Sequence, residues 1–196
     1  MKEEKAIHLV KPMLGKKRWE HTLNVRDMAV KLAKIHGEDP EKAALAAILH
    51  DCAKELPKEE MLQIFRENGT MAGNVEERPQ PVWHGVCAAI IARVRWGVED
   101  EEVLSAIRCH TTGRPGMTRL DKIIFLADMT SKERDFPGVE KLRKLAKKDL
   151  DQAMCSALES TLSFVKDKKQ TADPMSAAAL EDLLGNCPDK EEDQDE

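Results

Sequence analysis

The stretch 43–54, AALAAILHDCAK, sets His50 and Asp51 side by side at the end of an apolar run and places Lys54 one helical turn beyond His50. An imidazole and a carboxylate are costly to bury unless something occupies them. A metal ion is one such occupant, and a hydrogen-bonded histidine beside a helix-end aspartate is the plain alternative. Other apolar elements carry further candidates: His21, His84, His110 and Asp128, the last closing KIIFLAD. Four imidazoles and two carboxylates without a thiolate suit a borderline divalent metal such as iron, manganese, cobalt or zinc, and they are enough for two ions. A single tetrahedral structural site would leave ligands over.

The elements that must position these residues read as helices. Periodicity predicts helices over 3–14, bent or shortened by Pro12, and over 16–35, where Leu23, Val25, Met28, Ala29, Leu32 and Ile35 fall largely on one face before His36-Gly37 closes the run. Asp39-Pro40 offers a cap and a first-turn proline to a helix running into residues 43–54. Further helices are expected from Leu56-Pro57 to Asn68, over 82–96 with His84 in the first turn, and over 100–110 up to a Thr-Thr-Gly-Arg-Pro-Gly turn. Thr118 caps the helix that reaches Asp128, and helices over 139–147, 149–169 and 173–184 complete the set. The stretch 70–81 reads as a loop. No segment alternates with a period of two, so the predicted fold is an all-α helical bundle without a sheet: one domain over 1–185, then an acidic, disordered tail over 186–196.

Composition agrees with that class. In 196 residues and 22.0 kDa, hydrophobic side chains make up 41% and aromatics only 4% with no Tyr, so the core must be Ala, Leu, Ile, Val and Met. A net charge of -5, mixed along the chain, excludes a protein built to coat nucleic acid or an anionic membrane. No apolar run approaches the roughly 20 residues that span a bilayer, and MKEEKAIHLVK lacks a signal-peptide core, so a cytoplasmic protein is expected. Five cysteines with no CxxC spacing point to reduced, mostly buried thiols.

His21, then His50-Asp51, then Asp128 is the order found in HD-domain metal-dependent phosphohydrolases. The blocks RWEHTLNV, AAILHDCAKELP, HGVCAA, AIRCHTTGRPGMTRLDKIIFLADM and RDFPGVEKLR resemble one branch of them, the YqeK family of symmetrical bis(5'-nucleosyl)-tetraphosphatases, which use a dinuclear iron centre. The resemblance runs from about Arg18 to Leu184.

It implies that His21, His50, Asp51 and Asp128 hold one ion, that His84, His110 and Asp51 hold the other, and that Asp51 bridges them. A water or hydroxide between two cations would be the nucleophile at neutral pH. Lys54 would neutralise substrate phosphate, and the turn 111–116, with Thr111, Thr112, Gly113 and Arg114, could cradle phosphate oxygens. Arg18, Arg134 and Asp135 stand where the family has residues near the nucleotide. Two segments depart from the family pattern: His-Gly-Val-Cys-Ala-Ala replaces His-Gly-Pro-x-Gly-Ala at His84, and Met129-Thr130-Ser131-Lys132-Glu133 replaces Tyr-Ile-Glu-Pro-Gly ahead of Arg134-Asp135. No ligand is lost. The departures bear on the nucleotide pocket, and Trp83 is the aromatic to watch as a wall of it.

The expected activity is therefore cleavage of diadenosine tetraphosphate into two ADP. Two alternatives stay open: an HD-domain hydrolase of another nucleotide, such as a nucleoside mono- or polyphosphate or an alarmone, and a non-catalytic nucleotide sensor. Whether the chain forms a homodimer is also left open.

Overall fold

Local chemistry starts and stops most of the helices. The computed structural model describes residues 1–186, with the backbone alone at Thr70 and Asn186; the expected tail beyond them, including Cys187, lies outside the described residues. Helix α1 (Glu3–Val10) passes into a 3-10 turn at Lys11–Met13, where Pro12 removes an amide donor. Helix α2 (Lys16–His36) ends on Gly37, whose φ of 68° is the left-handed conformation that closes a helix. Asp39 caps α3 (Pro40–Leu49) by accepting from the amides of Glu41 and Lys42. Asp100 does the same for α7 (Glu101–Cys109). Thr118 and Asp121 form a reciprocal capping box at the start of α8 (Arg119–Thr130).

The remaining elements are α4 (Lys58–Glu67), the short α5 (Gly69–Ala72), α6 (Trp83–Ile90) with a π turn at Ile91–Arg95, α9 (Val139–Lys148), α10 (Leu150–Asp167) and α11 (Pro174–Asn186). Among the described residues there is no strand, as the absence of alternation predicts.

Three expectations are corrected. Helix α3 stops at Leu49, so residues 50–55 are successive tight turns, with the Lys54 amide bonded to the Asp51 carbonyl, and Lys54 does not sit on a helical face below His50. The stretch 70–81 is not featureless: it holds α5 and 3-10 turns at Val75–Glu77 and Gln80–Val82. Helix α11 runs through Gly185 instead of stopping before it.

Helix α3 is the axis of the molecule. Residues 43–49 of it are all buried, and four of those seven are alanine, so α1, α2, α7 and α8 approach it closely from different sides. That packing brings the end of α3 to the interior ends of its neighbours, where the histidines and aspartates lie.

Candidate metal centre

Five helices deliver six side chains to one buried space. His21 comes from the first half of α2, His50 is the residue that ends α3 and Asp51 follows it, His84 is in the first turn of α6, His110 ends α7, and Asp128 lies near the end of α8. All four histidines and Asp51 are buried.

The two oxygens of Asp51 divide the imidazoles between them. Oδ2 is 3.8 Å from His21 Nε2 and 3.6 Å from His50 Nε2, while Oδ1 is 3.2 Å from His84 Nε2 and 3.6 Å from His110 Nε2. Asp128 Oδ1 stands 3.1 Å from His21 Nε2, outside hydrogen-bonding alignment, so that His21 Nε2 and His50 Nε2 are both buried without a hydrogen-bond partner.

Every one of these rings is held by its other nitrogen. The Nδ1 atoms of His50, His84 and His110 lie 2.6, 2.9 and 2.8 Å from the carbonyls of Ala47, Pro81 and Ile107, and His21 Nδ1 bonds the Glu133 carboxylate. Fixing Nδ1 as the donor leaves Nε2 as a lone-pair donor aimed inward in all four rings. Ligand atoms of His21, His50 and Asp51, of His50, His110 and Asp128, and of Asp51, His84 and His110 lie within 4.8 Å of one another in each set. Orphaned imidazole nitrogens converging on carboxylate oxygens fit a divalent cation, and the donor set of nitrogen and oxygen fits the borderline first-row metals.

Burial lowers His50 to about 4 and His84 to about 4, so both are neutral at pH 7 and available as ligands. Burial alone would raise Asp51 and Asp128. The imidazoles of His50, His110 and His84 hold Asp51 well below the usual carboxylate range, and His21 with Arg134 does the same for Asp128.

Three cationic side chains face the cluster. Arg18 donates to Asp51 Oδ2 at 2.9 Å, Arg134 bonds the Asp128 carboxylate and its backbone carbonyl, and Lys54 Nζ is 3.3 Å from His84 Nε2. Burial lowers Lys54 although Asp51 opposes the shift. Beside them opens a cavity of about 840 Å³, lined by His110, Thr111, Asp128 and Arg134 at its inner end and by Phe136 and Phe164 farther out.

The family match rests on this chain of residues. A family model for the HD domain matches residues 18–133. The chain belongs to the HD-domain family. It is 46% identical to a symmetrical bis(5'-nucleosyl)-tetraphosphatase of Halalkalibacterium halodurans, over 94% of this chain and 98% of that one. It is 43% identical to the protein of that name in Bacillus subtilis, over 89% and 93%. Among solved structures it resembles a predicted HD superfamily hydrolase involved in NAD metabolism from Clostridium acetobutylicum, with a TM-score of 0.90 and 40% identity over 95% of this chain and 99% of that one. Within the HD family it therefore sits with the YqeK branch of symmetrical tetraphosphatases.

The other residues singled out from the sequence of this HD protein divide. Thr111 lines the cavity, and its buried hydroxyl has no hydrogen-bond partner. Thr112, Gly113 and Arg114 turn away from it. The Thr112 hydroxyl donates to the Gly113 carbonyl, Gly113 packs against α11 at Ala179, and Arg114 is engaged by Asp121 at 2.8 Å and by Ser105. Asp135 is exposed and does not line the cavity. Trp83 is not a wall of it: the indole is buried, donates to the Arg78 carbonyl and packs edge-on against Phe65. Three aromatics line the cavity, the buried Phe125 and, farther out, Phe136 and Phe164, and no sequence signal distinguishes them from core residues. Only the 59% exposure of Phe164, which appears once α10 is folded, sets it apart.

Proposed function

We propose that this HD-domain chain, over residues 1–185, is a cytoplasmic metal-dependent hydrolase that cleaves diadenosine tetraphosphate symmetrically into two ADP. The observation that carries the reading is the division of four imidazoles by the two oxygens of Asp51 at the inner end of a cavity large enough for a nucleoside. The names of the H. halodurans and B. subtilis relatives support the substrate and the symmetry of the cut.

In this reading His21, His50, Asp51 and Asp128 hold one divalent ion and His84, His110 and Asp51 the other, with iron favoured and manganese, cobalt or zinc as substitutes. Bound there, two such ions would polarise a phosphoryl oxygen and lower the pKa of water. The chain's own residues do the rest. Lys54, Arg18 and Arg134 stand where phosphate charge would arrive, and each has a carboxylate or imidazole partner that it can exchange for a phosphate oxygen. The Thr111 hydroxyl is a buried, unpartnered donor at the inner end of the cavity. Phe136 and Phe164 offer faces for a purine, and Ser160, Ser163 and Asp167 of α10 offer acceptors for ribose hydroxyls or an exocyclic amine.

A nucleoside seated in the cavity places its second phosphate, counted from that nucleoside, nearest the cluster. Water attack at that phosphorus breaks the bond to the third phosphate and expels the other half as ADP, a leaving group that needs little help from an acid. The test is product identification with the iron- or manganese-loaded protein. ADP as the sole nucleotide product is expected. ATP with AMP would overturn the register, and turnover of other nucleotides alone would overturn the substrate.

A further inference from the structure

The histidines of the cluster are not held alike. At the C-terminal ends of α3 and α7 the last carbonyls have no helical amide to accept, so Ala47 and Ile107 are free to orient His50 and His110. His84, in the first turn of α6, uses the carbonyl of Pro81 in the preceding turn. His21 lies inside α2, where the backbone carbonyls are already taken by the helix, and the carbonyl of Arg18 one turn back also accepts from Thr22. Its Nδ1 must therefore find a side chain.

That side chain is Glu133, 112 residues away in sequence. Its Oε1 takes the His21 ring and also accepts from Ser131 Oγ at 2.8 Å, and its Oε2 accepts from Asn24 Nδ2 at 2.7 Å. Asn24 stands on α2 one turn beyond His21, and Ser131 ends α8 three residues after Asp128. The carboxylate is thus braced from two of the three elements that supply ligands to this side of the cluster, α2 and the end of α8. It lies in the segment 129–133, where this chain departs from the pattern of its family.

We propose that Glu133 is the positioning residue of His21, and that its negative charge selectively strengthens metal binding at the His21–His50–Asp51–Asp128 position while leaving the His84–His110–Asp51 position to backbone carbonyls. The proposal rests on the dinuclear reading above. An imidazole whose Nδ1–H is bonded to a carboxylate is a more basic and better oriented ligand than one bonded to an amide carbonyl, and loss of such an outer partner costs about 10–100-fold in metal affinity. The consequence is an asymmetry: two ion positions that share Asp51, of which one is tuned by a charged, partly exposed group.

The test is competitive titration of metal-stripped protein with cobalt(II) or manganese(II) against a chelator, in the parent, in Glu133→Ala and in Glu133→Gln, together with thermal unfolding of each stripped protein. Glu133→Ala is expected to weaken one of the two metal equivalents about 10–100-fold and leave the other at the parent affinity. Glu133→Gln, which keeps an acceptor for His21 without the charge, is expected to fall between them, with a recovered orientation visible as a parent-like cobalt absorption band shape. Each stripped protein should still unfold cooperatively well above the titration temperature, the variants with only the small loss expected from removing the hydrogen bonds of Glu133. Equal weakening of both equivalents, or a stripped variant that is not folded at the titration temperature, would show a merely structural role and overturn the proposal. Parent-like affinities in both variants would overturn it as well. A parent that binds fewer than two ions would instead remove the dinuclear reading, and the proposal with it.

Discussion

Gly85 meets the backbone of Arg108 so closely that a Cβ on it would stand 2.9 Å from the Arg108 carbonyl oxygen and 3.4 Å from His110 Cε1. This contact lets α6 and α7 approach, and the approach puts His84 Nε2 3.1 Å from His110 Nε2. The obstacle is backbone and cannot swing aside. Gly85→Ala is therefore expected to destabilise the protein by about 1–3 kcal/mol through overpacking and, in the two-ion reading proposed above, to weaken the equivalent assigned to His84 and His110 more than the other. Chemical denaturation with metal titration checks both effects, and an unchanged variant would show that the two helices have slack.

Asp51→Asn tests the division of oxygens. An asparagine retains one carbonyl oxygen, so it can serve one imidazole pair at a time, while its amide nitrogen turns N–H donors toward the other pair and has no lone pair to offer a metal. Metal content measured on the purified variant is expected to fall at both positions, with turnover down by at least about 100-fold. His110→Ala, by contrast, should chiefly empty one position. If both variants lost the same equivalents, Asp51 would have no bridging role.

Lys54 approaches the cluster at His84, and its removal takes away no carboxylate or inward imidazole lone pair. Lys54→Ala is expected to leave metal content near the parent value and to lower kcat about 100-fold, the scale of removing one donor aimed at developing charge. A variant that lost metal in proportion to activity would make Lys54 a support of the site and not a partner of phosphate.

The metal-stripped protein should lose stability as the pH falls below neutral. His50 and His84 have folded-state values lowered to about 4 by burial, against 6.5 in the unfolded chain. The unfolded chain therefore takes up protons that the native state refuses, and the stability these rings contribute, full above about 6.5, is lost progressively down to about 4. His21 is shifted the other way by Asp128 and Glu133 in spite of its burial, so its contribution is complete below 6.5 and is lost as the pH rises through its raised value. Two depressed groups outweigh one raised group. Melting temperatures of the stripped protein at pH 7.5, 5.5 and 4.5 are expected to descend, at about 2–4 °C per kcal/mol for a chain of this size. A flat or rising series would place the net proton uptake in the native state.

Local chemistry made much of this structure legible. Asp39-Pro40, Asp100 and Thr118 are caps whose side chains bond their own first-turn amides, so sequence order alone places α3, α7 and α8, and with them His50, His110 and Asp128. What sequence order could not reveal depends on contacts between distant segments. The helix ends at Leu49 where apolar periodicity would carry it to Lys54, because His50 and Asp51 turn into the cluster. Arg114 belongs to a turn whose residue types suit phosphate, yet buried Asp121 holds it. Glu133 reads in sequence only as a departure from a family pattern, because its partner His21 lies 112 residues away.

The α10 face of the cavity yields the last prediction. Phe164 is 59% exposed on a helix whose inner face is packed, and together with Phe136 it walls the outer part of the cavity that begins at His110 and Asp128. An exposed phenyl ring held on a rigid helix is a platform that loses little freedom when a purine covers it. Stacking of a base on an aromatic ring contributes about 1–3 kcal/mol by alanine substitution. Phe164→Ala lies far enough from the ligating atoms to leave metal content alone, so the expected signature is a KM for diadenosine tetraphosphate raised by about 5- to 150-fold, with kcat changed little and metal stoichiometry unchanged. The same variant should bind ADP more weakly by a similar factor and inorganic phosphate as the parent does, because phosphate has no base to stack. A raised KM with equally weakened phosphate binding would move the defect to the metal end of the cavity. An unchanged KM would put the base on some other surface.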